Sequence, residues 1–351
     1  MHTEYIEINE INFDETVNKA SELIREGKLV VFPTETVYGL GADGLNGQAV
    51  RNVYAAKGRP LDNPVILHVS SIEMLDRLVV DRPEISDLLI EKFWPGPLTM
   101  IFKKSNIIPK EITAGLDTVA VRMPNRKFTL SLIKASDTPL AGPSANTSGK
   151  SSPTSGEHCR HDLDGKVDMI VSDGDTEVGL ESTVIDLSVK NPMILRPGAV
   201  TFEMLRAYIP NLEIDSTILE SSSDLIPKSP GQKYKHYAPD AEALLFTGGN
   251  EEIVRNMKEY IAKNRTKKIG VLSTTENVSE FDRENVLVLD MGSRDNLNEV
   301  AHRLFGSLRE FDRIGVDLIL CEGFEENEMG LAVMNRLKKA CSNKIIKGEN
   351  K

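Results

Sequence analysis

Leu29-Val30-Val31-Phe32-Pro33-Thr34-Glu35-Thr36-Val37-Tyr38-Gly39-Leu40-Gly41 is the stretch on which the reading of the fold turns. Residues 29–32 form a short apolar run with the length and β-branched content of a buried strand. Hydroxyls, a carboxylate and glycines follow it directly, and in α/β proteins the end of a strand is where ligands bind. A tight turn with solvated side chains is the plainer alternative. Upstream, Asp14 is placed to cap a helix whose apolar face is Val17, Ala20, Leu23 and Ile24, stopped by Gly27. Downstream, residues 48–57 predict a helix with Val50, Val53 and Tyr54 on one face, and residues 65–69 a strand. Two helical stretches precede Phe93. Residues 98–102, 118–123, 140 onward, 169–171, 183–187 and 193–195 read as further strands. Helices and strands mix without a strict βαβ rhythm, which predicts a mixed, twisted sheet rather than a purely parallel one.

Beyond this half the character changes. Residues 212–240 are rich in Ser, Pro and charge with little periodicity, and read as a linker. A cleaner alternation follows. Strands are expected at 243–246, 268–272, 286–289 and 317–321, with helices at 251–263, 296–311 and 328–340. That is the pattern of a small parallel α/β domain of Rossmann-like type. Thr247-Gly248-Gly249-Asn250 lacks the spacing of a dinucleotide loop and reads as a turn and cap.

Composition narrows the function. The 351 residues exceed one typical domain, so two are expected. At 40% hydrophobic, 27% charged and 5% aromatic the chain reads as soluble and globular, and no apolar run approaches bilayer length. The opening MHTEYIEINE is polar and acidic, unlike a secretory signal. Three widely spaced cysteines suit a reducing cytoplasm, the expected location. A net charge of −11 argues against nucleic acid as the main ligand, since gripping phosphates favours a basic chain.

Three more polar clusters join the first. Lys57-Gly58-Arg59-Pro60-Leu61-Asp62-Asn63-Pro64 sets a point charge beside a planar fork, a pairing suited to polyphosphate. Cations also favour any helix C-terminus. His68 lies in the apolar string VILHV, where a satisfied core histidine is the commoner finding. Gly142-Pro143-Ser144-Ala145-Asn146-Thr147-Ser148-Gly149, with Ser151 and Ser152 after it, is dense in donors and can form an anion nest; a Ser-rich surface loop is the alternative. The last cluster is Thr118, Arg122, Ser182 and Arg196. Arg122 sits within VAVRM, where a charge needs a partner. A bound carboxylate or phosphate would supply one, and an internal Asp or Glu would serve equally. His158, Cys159 and His161 lie close together, but no second pair matches them, so they read as surface residues rather than a zinc site.

Taken together, PTETVYGLGA, KGRPLDNPVILHV, WPGPLT, AGLDTVAVRMP, GPSANTSG, ESTVID and LRPG resemble the YrdC-type threonylcarbamoyl-adenylate synthases. PGQKYKHYAP and MNRLKKA resemble the long, two-domain form. The resemblance implies a YrdC-like catalytic domain over 1–211, a linker and lid over 212–240, and a Rossmann-like domain over 241–351. It implies that L-threonine, bicarbonate and ATP give threonylcarbamoyl-adenylate and pyrophosphate, with Mg2+ accompanying ATP. Lys57 and Arg59 would act on the ATP phosphates, with Asn63 nearby. Ser144, Asn146, Ser152, Thr118 and Arg196 would line the nucleotide site. Thr36, His68, Arg122 and Ser182 would hold threonine, and Gly142 would contribute through its backbone. Tyr234, with Lys233 and His236, would fold over the site as a lid. The expected consumer of the product is a tRNA threonylcarbamoyl transferase complex, with weak direct tRNA binding. A double-stranded RNA or tRNA-binding module, and a carbamoyl-adenylate transferase of the hydrogenase-maturation type, are the alternatives; the latter carries zinc-finger cysteines that this chain lacks.

Overall fold

Chain geometry follows local chemistry most closely in the helix Gly47–Lys57. The Asn46 side chain accepts N–H bonds from Gln48 and Ala49, and Gly58 ends the helix in the left-handed region at φ 62°. An N-cap of this kind is worth about 1 kcal/mol, and glycine alone adopts the stop without strain. The helix Phe13–Arg25 differs from expectation at its start. Asn12 precedes it, Asp14 lies within its first turn, and no side chain caps it. Asn12 instead donates to the Glu7 carbonyl at 2.9 Å.

The computed structural model describes residues 2–219, 236–281 and 284–348. Of these, 2–148 and 152–219 form one compact unit, and 149–151 with 236–281 and 284–348 form another. Lys233 and Tyr234, two of the expected lid residues, lie outside the described residues. His236 belongs to the second unit, where its ring lies 5.5 Å from that of Tyr237.

The first unit is built on a mixed sheet, twelve-stranded among the described residues. From one edge it runs through Glu4–Glu7, Met169–Ser172, Val30–Phe32, Gly39–Asp43, Leu140–Ala141 and Leu67–His68. It continues through Thr118–Arg122, Leu98–Lys104, Thr183–Asp186, Met193–Arg196 and Glu213–Ile214, with Val79–Val80 paired to Leu98–Lys104 off the main path. Parallel and antiparallel pairs alternate irregularly, as the missing βαβ rhythm implied. Leu29, Val31, Tyr38, Leu40, Val53, Leu163 and Ile170 share a core on one side.

Two differences from the sequence reading bear on the site. Gly39–Asp43, given no element by the sequence reading, is a strand antiparallel to Val30–Phe32. Glycine is a poor strand former, but here it is required by packing: a Cβ at Gly39 would fall 2.5 Å from the Phe32 ring, and one at Gly41 2.9 Å. Glu213–Ile214 pairs in parallel with Met193–Arg196, so the start of the stretch read as linker belongs to this sheet.

The second unit is a sheet of five strands among the described residues, all pairs parallel, in the order Val286–Asp290, Ile269–Ser273, Leu318–Glu322, Glu242–Thr247, Ile345–Lys347. The helices Asn250–Lys263, Leu297–Ile314 and Glu328–Ala340 connect the strands, as the Rossmann-like reading required. Its core gathers Leu244, Phe246, Ile253, Met257, Val271 and Leu320. Between Thr247, the last strand residue, and Asn250, the first of the helix, only Gly248 and Gly249 intervene, with Gly249 at the N-cap and no side-chain cap.

Candidate active site

Sheet topology brings the charged residues to one edge. Arg122 and His68 end adjacent parallel strands and face each other in register. Leu98 begins the strand antiparallel to that of Arg122, and Thr183 begins the strand parallel to Leu98. The Gly96–Pro97 turn and Ser182 therefore arrive beside Arg122. Thr183 N–H donates to Pro97 O at 3.0 Å, which fixes the two segments together.

Arg122 is 3% exposed. Its Nε donates to Gly96 O at 3.1 Å and its Nη1 to Thr36 Oγ1 at 2.8 Å. Glu35 is the internal carboxylate that the sequence left as one of two possibilities: its Oε1 lies 2.7 Å from Arg122 Nη2, both side chains buried. Close as it is, this contact is not a hydrogen bond. Neither Oε1 nor Nη2 has an aligned hydrogen-bond partner. Glu35 Oε2 accepts the Asn125 N–H at 3.0 Å. A buried ion pair contributes through the loss incurred when one member is removed, about 3–5 kcal/mol.

His68 stands beside this pair. Burial pushes its imidazole down to about 3; the Arg122 charge adds to the shift and a Leu140 backbone bond opposes it. The ring is therefore neutral at physiological pH, and its buried Nδ1 has no hydrogen-bond partner. Phe32 packs edge-on at 5.5 Å. Gly142 passes so close that a Cβ there would lie 2.6 Å from Nδ1. Gly142 thus earns its place by having no side chain.

Two residues on, the same segment reaches Lys57. Lys57 Nζ donates to the carbonyls of Ser144 and Asn146, the latter at 2.5 Å, and approaches Asn146 Oδ1 at 3.4 Å. Ser144 Oγ donates to that same Oδ1 at 2.6 Å. A buried ammonium so held fixes the loop and sets a positive charge under it. Arg59 donates to the carbonyls of Asn63 and Pro64, at 3.3 and 2.9 Å from Nη2, closing the following loop. Tyr54 donates to Asn63 O from the other side, and burial raises its hydroxyl to about 12 against the opposing charge of Arg59. Asn63 Oδ1 is buried with no partner.

A third group completes the edge. Arg196 donates from Nε to Ser182 O at 3.0 Å and from Nη2 to Ser182 Oγ at 3.1 Å. Ser182 Oγ also meets Thr99 Oγ1 at 2.7 Å. Ser152 Oγ donates to Glu181 Oε1 at 2.5 Å. Of the expected residues, Thr118 stands apart. It begins the strand that Arg122 ends, roughly 13 Å away at strand rise. Cys159 is buried in a helix core, and among the described residues no group of metal-ligating side chains assembles around it.

Glu35, Thr99 and Glu181 were not among the expected site residues. For Glu35 the signal was present, a carboxylate between two threonines at a strand end, but its partner lies 87 residues on, beyond any local pattern.

Such a set suits a small substrate with a carboxylate and further hydrogen-bonding groups, next to a cationic loop. Similarity to known proteins agrees. The family model described as Telomere recombination, covering Sua5, YciO and YrdC, matches residues 22–198. That of the threonylcarbamoyl-AMP synthase C-terminal domain matches residues 200–342. The threonylcarbamoyl-AMP synthase of Pyrococcus abyssi is 48% identical over 93% of this chain and 94% of its own. The Bacillus subtilis synthase is 43% identical over 95% of each. The crystal structure of P. abyssi Sua5 in complex with L-threonine superposes with a TM-score of 0.91 at 45% identity, covering 99% of this chain and all of that one. The chain belongs to the threonylcarbamoyl-AMP synthase family.

Proposed function

We infer that the protein converts L-threonine, bicarbonate and ATP to L-threonylcarbamoyl-adenylate and pyrophosphate, the activated intermediate for threonylcarbamoyladenosine in tRNA. The observation that carries this reading is Arg122. It is a buried guanidinium whose Nη2 lacks an aligned acceptor, flanked by the Thr36 hydroxyl and a neutral imidazole whose buried Nδ1 has no hydrogen-bond partner. A carboxylate suits the fork, and a hydroxyl or N–H suits the imidazole.

In the reaction the deprotonated threonine amine and bicarbonate give a carbamate with loss of water, a carbamate oxygen attacks the α-phosphorus, and pyrophosphate leaves. No protein nucleophile is required. The protein contributes position and charge. Lys57 and Arg59 face the phosphates, each braced by backbone carbonyls so that little reorganisation is needed as charge develops. Asn63, Ser144, Asn146, Ser152 and Arg196 contribute donors around the nucleotide, and Ser182 lies between Arg196 and the threonine side. Thr118 is retained as a nucleotide contact by resemblance alone. Mg2+ enters with ATP as part of the substrate. Tyr234 closes over the mixed anhydride, which water would otherwise hydrolyse. The product passes to a tRNA threonylcarbamoyl transferase in the cytoplasm, and direct tRNA binding by this acidic chain is weak.

The test is ATP-dependent pyrophosphate release with bicarbonate, comparing threonine, serine, valine and no amino acid. Threonine-dependent release supports the reading. Release indifferent to the amino acid, or tRNA binding with no release, would overturn it.

A further inference from the structure

Two charges within the threonine half call for separate explanation. A guanidinium and a carboxylate that are free to adjust frequently meet as a fork, with two parallel N–H···O bonds. Glu35 does not meet Arg122 in that way. Its Oε1 approaches Nη2 to 2.7 Å out of line, and both atoms are left without a hydrogen bond. Neither group is free to relax into a better pairing. Glu35 Oε2 is pinned by the Asn125 N–H and its carbonyl accepts the Val178 N–H at 2.8 Å. Thr34 Oγ1 accepts the N–H groups of Thr36 and Val37 at 3.2 and 3.3 Å, which locks the turn carrying Glu35. Arg122 is held by Gly96 and Thr36.

We propose that Glu35 receives the α-ammonium of threonine while Arg122 receives its carboxylate, so that the buried pair recognises the substrate as a zwitterion. This rests on the threonine reading above and adds a specificity-determining residue to it. An α-amino acid carries its opposite charges on neighbouring atoms, as this site carries its own. A carboxylate arriving at Arg122 without an ammonium would sit against the Glu35 carboxylate, and like charges in a dry site repel strongly. An ammonium removes the repulsion and supplies the aligned donor that the buried Oε1 lacks. The pair would thereby discriminate for amino acids over hydroxy acids and simple carboxylates, and would hold the very nitrogen on which the carbamate forms.

The test measures binding by calorimetry for threonine and for deaminated threonine (3-hydroxybutanoate) in the wild-type chain and in Glu35→Gln. ATP affinity serves as the control for fold. Wild type should favour threonine by roughly a hundredfold, since a site built for a polar group rejects a ligand lacking it. In Glu35→Gln the preference should shrink to roughly fivefold or less, threonine losing affinity and the analogue holding or gaining it. Equal loss for both ligands would mean that Glu35 only braces Arg122 and would overturn the proposal. An unchanged preference would do the same. If Glu35→Gln does not fold, the wild-type comparison still decides: equal affinity for the two ligands overturns the ammonium assignment while leaving threonine as the substrate. Absence of threonine binding in the wild type would instead remove the functional reading beneath it.

Discussion

Replacing Gly142 by alanine adds a single methyl group at the point where the proposed threonine half is tightest. The new Cβ would lie 2.6 Å from His68 Nδ1, 2.8 Å from its Cε1 and 2.9 Å from Phe32 Cζ. Ordinary contact begins near 3.4 Å, so the imidazole edge must retreat by about 0.8 Å, and two buried rings must move together. Overpacking of this kind costs about 1–3 kcal/mol. In a domain of this size that lowers the melting temperature by roughly 2–10 °C. The displaced atom is the unpartnered Nδ1, which the proposed function assigns to threonine, so the functional effect should be confined to that substrate. KM for threonine is expected to rise about tenfold, equivalent to ~1.4 kcal/mol, with KM for ATP little changed. Thermal unfolding and pyrophosphate-release kinetics with each substrate varied in turn measure both. Full stability with an unaltered threonine KM would refute the steric argument. An equal rise in both KM values would refute the placement of Gly142 in the threonine half.

Other predictions concern charge. Lys57→Ala should cut turnover at least about tenfold through lost charge neutralisation. It should also destabilise by roughly 1–3 kcal/mol, since the Ser144 and Asn146 carbonyls lose a donor; near-normal turnover in a folded variant would refute the phosphate role. His68, held down to about 3 when folded, binds its proton more readily unfolded, where the value is about 6.5. Its contribution is therefore complete above about pH 6.5 and is lost as pH falls from there towards 3, by at most about 4–5 kcal/mol. Urea midpoints of the wild type and His68→Gln should diverge in that window, and parallel curves would count against a neutral buried imidazole. Arg122→Ala should destabilise by about 3–5 kcal/mol by stranding Glu35, whereas Arg122→Met combined with Glu35→Gln should recover most of that stability and no threonine binding. Loss of stability in the double variant equal to that in Arg122→Ala would show that the burial of a lone charge is not the cause.

What could be read before the fold was known depended on the range of the signal. The helix Gly47–Lys57 was legible because its cap, its apolar stripe and its terminating glycine all lie within a dozen residues. The parallel second unit was legible for the same reason, apart from its edge strand Ile345–Lys347, whose few residues are held by one neighbour. Glu4–Glu7 and Glu213–Ile214 escaped likewise, being short edge strands fixed by partners distant in the chain. Gly39–Asp43 was not foreseen as a strand because glycine's weak strand propensity is overruled by the Phe32 ring, a contact no periodicity reports. Within the site, resemblance supplied Arg122, His68 and Lys57, while the chemistry of VAVRM demanded a partner without saying which. Glu35 could be named only once the turn it occupies was seen to face Arg122.

Phe32 touches the positions of three glycines, Gly39, Gly41 and Gly142, from one ring. These residues are spread over more than a hundred positions of the chain, yet they share a single volume. Substitution at any one of them is therefore conditional on the ring. A smaller residue at position 32 would release space for a methyl group at 39 alone, since Gly41 would still meet the Val30 carbonyl and Gly142 the His68 ring. Loss of the ring is thus sufficient for a side chain at 39, but at 41 and 142 it is only one of two conditions, the second being set by the Val30 carbonyl and by the His68 imidazole.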